Sequence, residues 1–168
     1  MGAVTYPHPA VSQLIHDRFV PVRVNERDSS AAAVEVLRTY RLLWSPGFVF
    51  LDQKGSELRR FVGYLPPEDF QAELYVALGL SAMLRARYEE SFREFRLAAD
   101  RFPESPVAAE AIYWAGIAAY RRDGRKMDTL KSVWAEIPLK YPGSTWWQRA
   151  DVFDVNPAEI FGPINRTP

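Results

Sequence analysis

Cysteine is missing from all 168 residues of this sequence. Its absence excludes disulfides, thiolate metal sites, thiol nucleophiles and dithiol redox chemistry within the chain. An excess of either charge is missing too, since lysine plus arginine and aspartate plus glutamate each number 21. No long-range field then draws the chain to nucleic acid or to an anionic membrane, and neither is an expected partner. No apolar stretch approaches the roughly 20 residues that span a bilayer, and the N-terminus lacks the basic and apolar regions of a signal peptide. These absences describe a soluble, cytoplasmic protein. What is present is apolar: hydrophobic residues make up 48% of the chain, enough for one good core or two small ones without staples.

The first half mixes helix and strand. Val11, Leu14 and Ile15 recur at helical spacing behind Pro7 and Pro9, which predicts a short helix. Residues 19–24 are β-branched and aromatic and predict a strand, with Pro21 leaving one side without a ladder partner. Ser29 or Ser30 caps a helix running to Tyr40, which stops before Pro46. Residues 48–51 then run into the turn Asp52-Gln-Lys-Gly55, and residues 58–64 return as the second arm of a hairpin. Pro66 and Pro67 open a helical region with Glu68 and Asp69 in its first turn, where carboxylates complement the helix dipole.

From there the pattern is helical, broken at residues 85–87, 102–105, 123–124 and 141–144, which bounds four or five helices. Two of the breaks share a step of aromatic, proline, any residue and serine: Phe102-Pro-Glu-Ser105 and Tyr141-Pro-Gly-Ser144. Within residues 72–103, Leu78 and Gly79 come first, Ser91 twelve after Gly79, then Phe95, Ala98 and Pro103. This register resembles the tetratricopeptide repeat, whose small residues let two antiparallel helices approach and whose proline stops the second. A divergent second unit places Trp114, Gly116 and Tyr120 on one helix and Leu130, Trp134 and Ile137 on the next, with a capping helix from Ser144. The alternative is an ordinary helical bundle with coincidental spacing. Repeats of this kind imply binding of a protein or peptide partner.

The order of elements over residues 19–80, with the phrases Phe48-Val-Phe-Leu-Asp52 and Gly63-Tyr-Leu-Pro-Pro67, resembles bacterial thioredoxin-like proteins that carry a helical-repeat extension. The resemblance implies a cis-proline at Ser45-Pro46, and a peptide groove lined by Trp44, Ser45 and Pro46. It also implies a Cys-x-x-Cys that this chain lacks, together with the strand and helix ahead of it and the central strand between residues 20–24 and 48–51. Three resolutions are physical: the remaining strands close up, a second copy supplies an element, or the chain is the C-terminal portion of a thiol-disulfide oxidoreductase whose Cys-x-x-Cys lies upstream.

Other candidates lose to simpler readings. His8 and His16 are isolated from any ligand cluster or nucleophile, so no catalytic or metal site is expected. Asp151 and Asp154 lack a third ligand and read as a solvated tail. Glu89, Glu90, Arg93, Glu94 and Arg96 read as a solvated helix face. Trp114 and Trp134 read as repeat core, whereas Trp146 and Trp147 are adjacent on a helix and one of them is expected to face out toward a partner. The expected fold is therefore α+β: a truncated thioredoxin-like α/β unit over 1–70, an all-helical tetratricopeptide-like hairpin module over 71–150 and an extended tail over 151–168. The expected function is redox-inactive protein-protein interaction, with a protein or peptide or a second copy as partner, no cofactor and no enzyme activity.

Overall fold

A computed structural model describes residues 1–2, 4–153 and 156–161. In chain order they form α1 (Pro9–Arg18), α2 (Ala31–Thr39), β1 (Gly47–Leu51), β2 (Glu57–Val62), α3 (Pro67–Leu84), α4 (Tyr88–Arg101), α5 (Ala108–Arg122), α6 (Met127–Trp134), α7 (Glu136–Lys140), α8 (Thr145–Ala150), a 3-10 turn (Asp151–Phe153) and α9 (Pro157–Phe161). β1 and β2 are an antiparallel pair, with Phe48 opposite Phe61 and Phe50 opposite Arg59. Asp52 shapes their turn by accepting hydrogen bonds from the backbone N–H of Lys54 and Ser56, both at 2.8 Å.

Two cores share one helix. The smaller gathers Val11, Phe70 and Leu74 with Phe48, Phe50 and Phe61 from the hairpin, and Phe48 stacks on Phe61 at 4.6 Å between ring centroids. The larger runs through α3, α4, α5 and α6, each packed on the next. α3 contributes Phe70 and Leu74 to the first and Ala72, Tyr75 and Val76 to the second, which is why its apolar residues surround the whole cylinder.

Close approach within each pair of helices depends on a missing side chain. A Cβ on Gly79 would stand 2.6 Å from the Phe95 ring, and one on Gly116 would stand 2.4 Å from the Trp134 indole. Ser91 Oγ donates to the Gly79 carbonyl at 2.8 Å, and Trp134 Nε1 donates to the Tyr113 carbonyl at 2.8 Å. Glycine on one helix beneath an aromatic ring on the following helix thus recurs in both pairs. The second pair differs in one respect, because its last helix is interrupted at Ala135. Pro138 explains the break: it has no N–H to give the Trp134 carbonyl, and its ring crowds that group.

Residues 19–24, expected as a strand, join no ladder; the sheet has two strands. The segment is extended but solvated, with Val20 92% and Val22 79% exposed. The remaining strands therefore do not close up. A strand exists only against a partner, and among the described residues β1 finds its partner in β2. α2 is almost as detached, with Ala33 its only buried residue, although Ser30 caps it by accepting from the Ala33 N–H.

The described part of the 151–168 tail is not extended throughout, since it carries the 3-10 turn and α9, and Phe153 tilts onto Trp134 at 5.8 Å.

Candidate functional site

The loop between α2 and β1 carries the first group of expected site residues. It leaves α2 through Arg41, whose φ of 47° turns the chain in the left-handed region. Leu42 then tucks in while Leu43 and Trp44 turn out, 90% and 71% exposed. The Ser45–Pro46 peptide bond is cis. Ser45 Oγ donates to Glu26 at 2.5 Å, and the Pro46 carbonyl accepts from the Gly63 N–H at 2.8 Å, extending the β1–β2 ladder by one bond. Trp44, Ser45 and Pro46 therefore stand together at the mouth of β1. Two adjacent large apolar side chains in water, Leu43 and Trp44, are unlike the scattered single exposures that need no explanation.

Trp146 and Trp147 stand elsewhere and otherwise than expected. Both are half-buried and pack against the larger core, and neither faces fully out. Trp146 lies 5.2 Å from the Tyr113 ring, and the Arg149 guanidinium lies over its ring at 4.3 Å from the centroid. Trp147 is fixed by its backbone N–H, which donates to the capping Ser144 Oγ at 3.1 Å. Trp146 also borders a cleft of about 520 Å³ where the two proline-serine steps meet, lined by Pro103, Ser105, Lys140, Tyr141 and Ser144 among others. Tyr141 donates its hydroxyl to the Pro103 carbonyl at 2.8 Å, docking the second step on the first.

A third group was hidden from sequence reasoning. Arg59 of β2 reaches across to the helices and grips Glu110 of α5 with two bonds of 2.8 and 2.9 Å, and it also donates to Glu73 of α3. Burial alone would pull its guanidinium down, but the hydrogen bonds it donates to Glu110 and Glu73 outweigh it and hold the pKa above its usual value. Glu73 moves the other way: burial pushes its carboxyl up by more than the bond from Arg59 restores. Glu94, read from the sequence as part of a solvated face, is 1% exposed and takes a 2.9 Å bond from Arg18 of α1. It sits beside Phe95 and between Ser91 and Ala98, all buried, so the helical period itself turns it inward. These two ion-pair groups tie the first half of the chain to the helices.

No group of three or more histidines, aspartates or glutamates comes together as a cation site among the described residues. His8 is exposed, and His16 pairs with Asp17 at 3.2 Å on the surface. Asp151 is exposed, while Asp154 lies outside the described residues. No helix among the described residues is long and apolar enough to cross a membrane.

An antiparallel hairpin covered on one face by α1 and α3, with a cis-proline at its mouth, is the architecture of part of a thioredoxin-like domain. Residues 3–77, a little under half of the chain, match the model of a family described as a thioredoxin-like domain. The remainder is mostly helical. No curated protein and no solved structure matches the chain. A thioredoxin-like domain with no cysteine has no thiol of its own with which to exchange a disulfide, so the family's dithiol chemistry has no residue to carry it in this chain.

Proposed function

We propose that this chain is a redox-inactive thioredoxin-like protein with tetratricopeptide-like helical repeats, and that it works by binding a protein or peptide. The observation that carries the reading is the exposure of Leu43 and Trp44 beside Pro46, in a thioredoxin-like domain whose dithiol is gone. Tryptophan is the residue most enriched among binding hot spots, and leaving it in water is unfavourable unless a partner covers it. The repeat reading is supported by the recurrence of glycine under aromatic in the two helical pairs and by the stacked proline-serine steps. In this reading the repeats hold the thioredoxin-like part, because Arg59 occupies the carboxylates of α3 and α5. The units divide at about residue 70 along the shared helix, and Trp146, which borders the cleft, forms a secondary contact together with its neighbour Trp147.

Selection of peptides from a displayed library tests it. Leu43→Ser with Trp44→Ala should cost about 2 kcal/mol or more in affinity for the selected peptides, with the melting temperature unchanged because both side chains are exposed. Equal binding by parent and variant refutes the site. An insulin-reduction assay should give no turnover, and turnover refutes the non-redox reading. A second reading, that the chain is the C-terminal portion of a thiol-disulfide oxidoreductase, is favoured by the unpaired edge of β1. In-frame codons for Cys-x-x-Cys in the genomic DNA upstream of Met1 would establish it.

A further inference from the structure

We propose that the cleft between the two proline-serine steps takes a proline-rich peptide segment in the extended polyproline II form. The inference rests on the reading of this chain as a peptide binder, and it assigns the ligand class of the cleft beside Trp146. At about 520 Å³ the cleft falls within the range of sites that hold small ligands. Its walls come from two loops that each lead into a helix, with Pro103, Ser105 and Ala109 from one and Tyr141, Ser144 and Trp146 from the other. The first loop delivers α5 without a side-chain cap, because Val107 stands at the capping position. Among the described residues, the N–H groups of Val107, Ala109 and Glu110 have no acceptor, although Val107 and Ala109 are buried. A helix start hidden from water ordinarily finds such partners. Ser105 is close enough in sequence to supply one, yet its Oγ is buried with no partner. The starts of α2 and α8 differ, since Ser30 and Ser144 each accept from a backbone N–H there.

Donors are therefore in surplus at the cleft. The Trp146 indole N–H adds one, having no acceptor among the described residues, whereas those of Trp114 and Trp134 donate to Glu110 and to the Tyr113 carbonyl. Several acceptors, by contrast, are engaged: the Pro103 carbonyl takes the Tyr141 hydroxyl, the Ser105 carbonyl the Ala108 N–H, and the Tyr141 carbonyl the Ser144 N–H. Ser144 Oγ takes the Trp147 N–H. Such walls select a ligand that brings acceptors. Charge does not select an anion, because the exposed rim carries Glu104 as well as Lys140, and Lys140 is already held by Glu136 at 2.7 Å. What fits is a neutral ligand rich in carbonyl oxygens and poor in N–H groups. A run of prolines has carbonyls and no backbone N–H, its fixed φ holds it extended before it binds, and its rings rest on aromatic side chains. Tyr141 and Trp146 supply that aromatic surface. The Ser105 hydroxyl joins by turning about χ1, a torsion with three staggered wells.

The test uses the full chain, a blocked decaproline and a blocked glycine-serine peptide of equal length. Binding is followed by calorimetry and by the NMR shifts of backbone amides and indole N–H groups. Decaproline binds and moves the signals of Ala109, Glu110 and the Trp146 indole, while the glycine-serine peptide binds far more weakly. Trp146→Phe keeps a ring but loses the N–H, Ser105→Ala loses the hydroxyl, and each weakens decaproline about fivefold. Where a variant lowers the melting temperature, the shifts in the parent protein decide. Absence of decaproline binding overturns the assignment, as does equal binding of the glycine-serine peptide. Displacement of decaproline by acetate also overturns it, by giving the cleft to a carboxylate. Decaproline binding that moves the Trp44 indole and leaves Ala109 unmoved overturns the cleft while supporting peptide binding at Leu43 and Trp44. Failure of the cleft is thereby told apart from failure of the peptide-binding reading, which the library-selected peptides test at that other site.

Discussion

The helices α3 to α6 and the segment from residue 19 to residue 46 have similar stretches of apolar sequence and opposite fates. In the first, Phe95, Ala98, Ile112, Ala115 and Trp134 disappear into one core. In the second, Val20, Val22, Leu43 and Trp44 stand in water. The difference is one of partners. A helix satisfies its own backbone and needs only a neighbouring face, and a short turn delivers the next helix of the chain to provide it. An extended segment needs both a face and a ladder, and its ladder partner is distant in sequence or missing. Apolar composition alone therefore does not predict burial; the source of the covering surface does.

Removing a core side chain should separate the regions most sharply. Phe95→Ala leaves a cavity between α3 and α4 and should cost about 3–5 kcal/mol, read as a lowered melting temperature, whereas the same truncation at Trp44 should leave it unmoved. A loss at Trp44 equal to that at Phe95 would abolish the contrast. Arg59→Met tests the join between the regions. Without the guanidinium, the buried Glu73 and the half-buried Glu110 are left without their counter-charge, which should cost about 3 kcal/mol. A cost near zero, measured by denaturant unfolding, would mean that the hairpin and helices are not held together by this group.

A smaller effect comes from Glu73 itself. Burial raises its pKa in the fold above that of the unfolded chain, so keeping it ionised opposes folding at neutral pH. That penalty fades as pH falls through the raised value toward the ordinary glutamate range. Glu73→Gln should accordingly gain on the parent at pH 7 and lose that advantage toward pH 4; an advantage that grows on acidification would reverse the sign. The smallest expected effect is Ser30→Ala. Loss of the cap should unwind α2 locally, worth about 1 kcal/mol to that helix, without shifting the main unfolding transition, because α2 contributes one buried residue. Amide exchange reads both at once.

Much of the helical half was legible in the sequence because its determinants are local. Gly79, Ser91, Phe95 and Ala98 occupy the spacing at which two helices can touch, and the structure brings them into contact at those positions. The hairpin was equally legible, since Asp52 and Gly55 mark its turn within a few residues of both arms. What escaped was non-local. For residues 19–24 the β character and the lack of a neighbour were both legible, through Pro21 and the family resemblance, whereas the extent to which this leaves Val20 and Val22 in water was not. Glu94 has charged neighbours in sequence that suggest a solvated face, but its period with Ser91 and Ala98 turns it inward. Arg59 has no local mark at all, because its partners lie 14 and 51 residues away. Pro138, by contrast, carries a local signal, since a proline four residues after Trp134 is enough to split the last helix.

Arg59 has a neighbour of the same kind. Arg60, on the other face of β2, donates instead to the Tyr40 carbonyl at 2.9 Å. Side chains alternate along a strand, so a slip of the hairpin by one residue would turn Arg59 to solvent and present a different residue to Glu73 and Glu110. A slip by two would carry the guanidinium about 7 Å from its carboxylates. A two-stranded ribbon has little of its own to fix its alignment. The ion group supplies the missing index: like a pin through two plates, it permits one alignment of the hairpin against the helices and penalises every other.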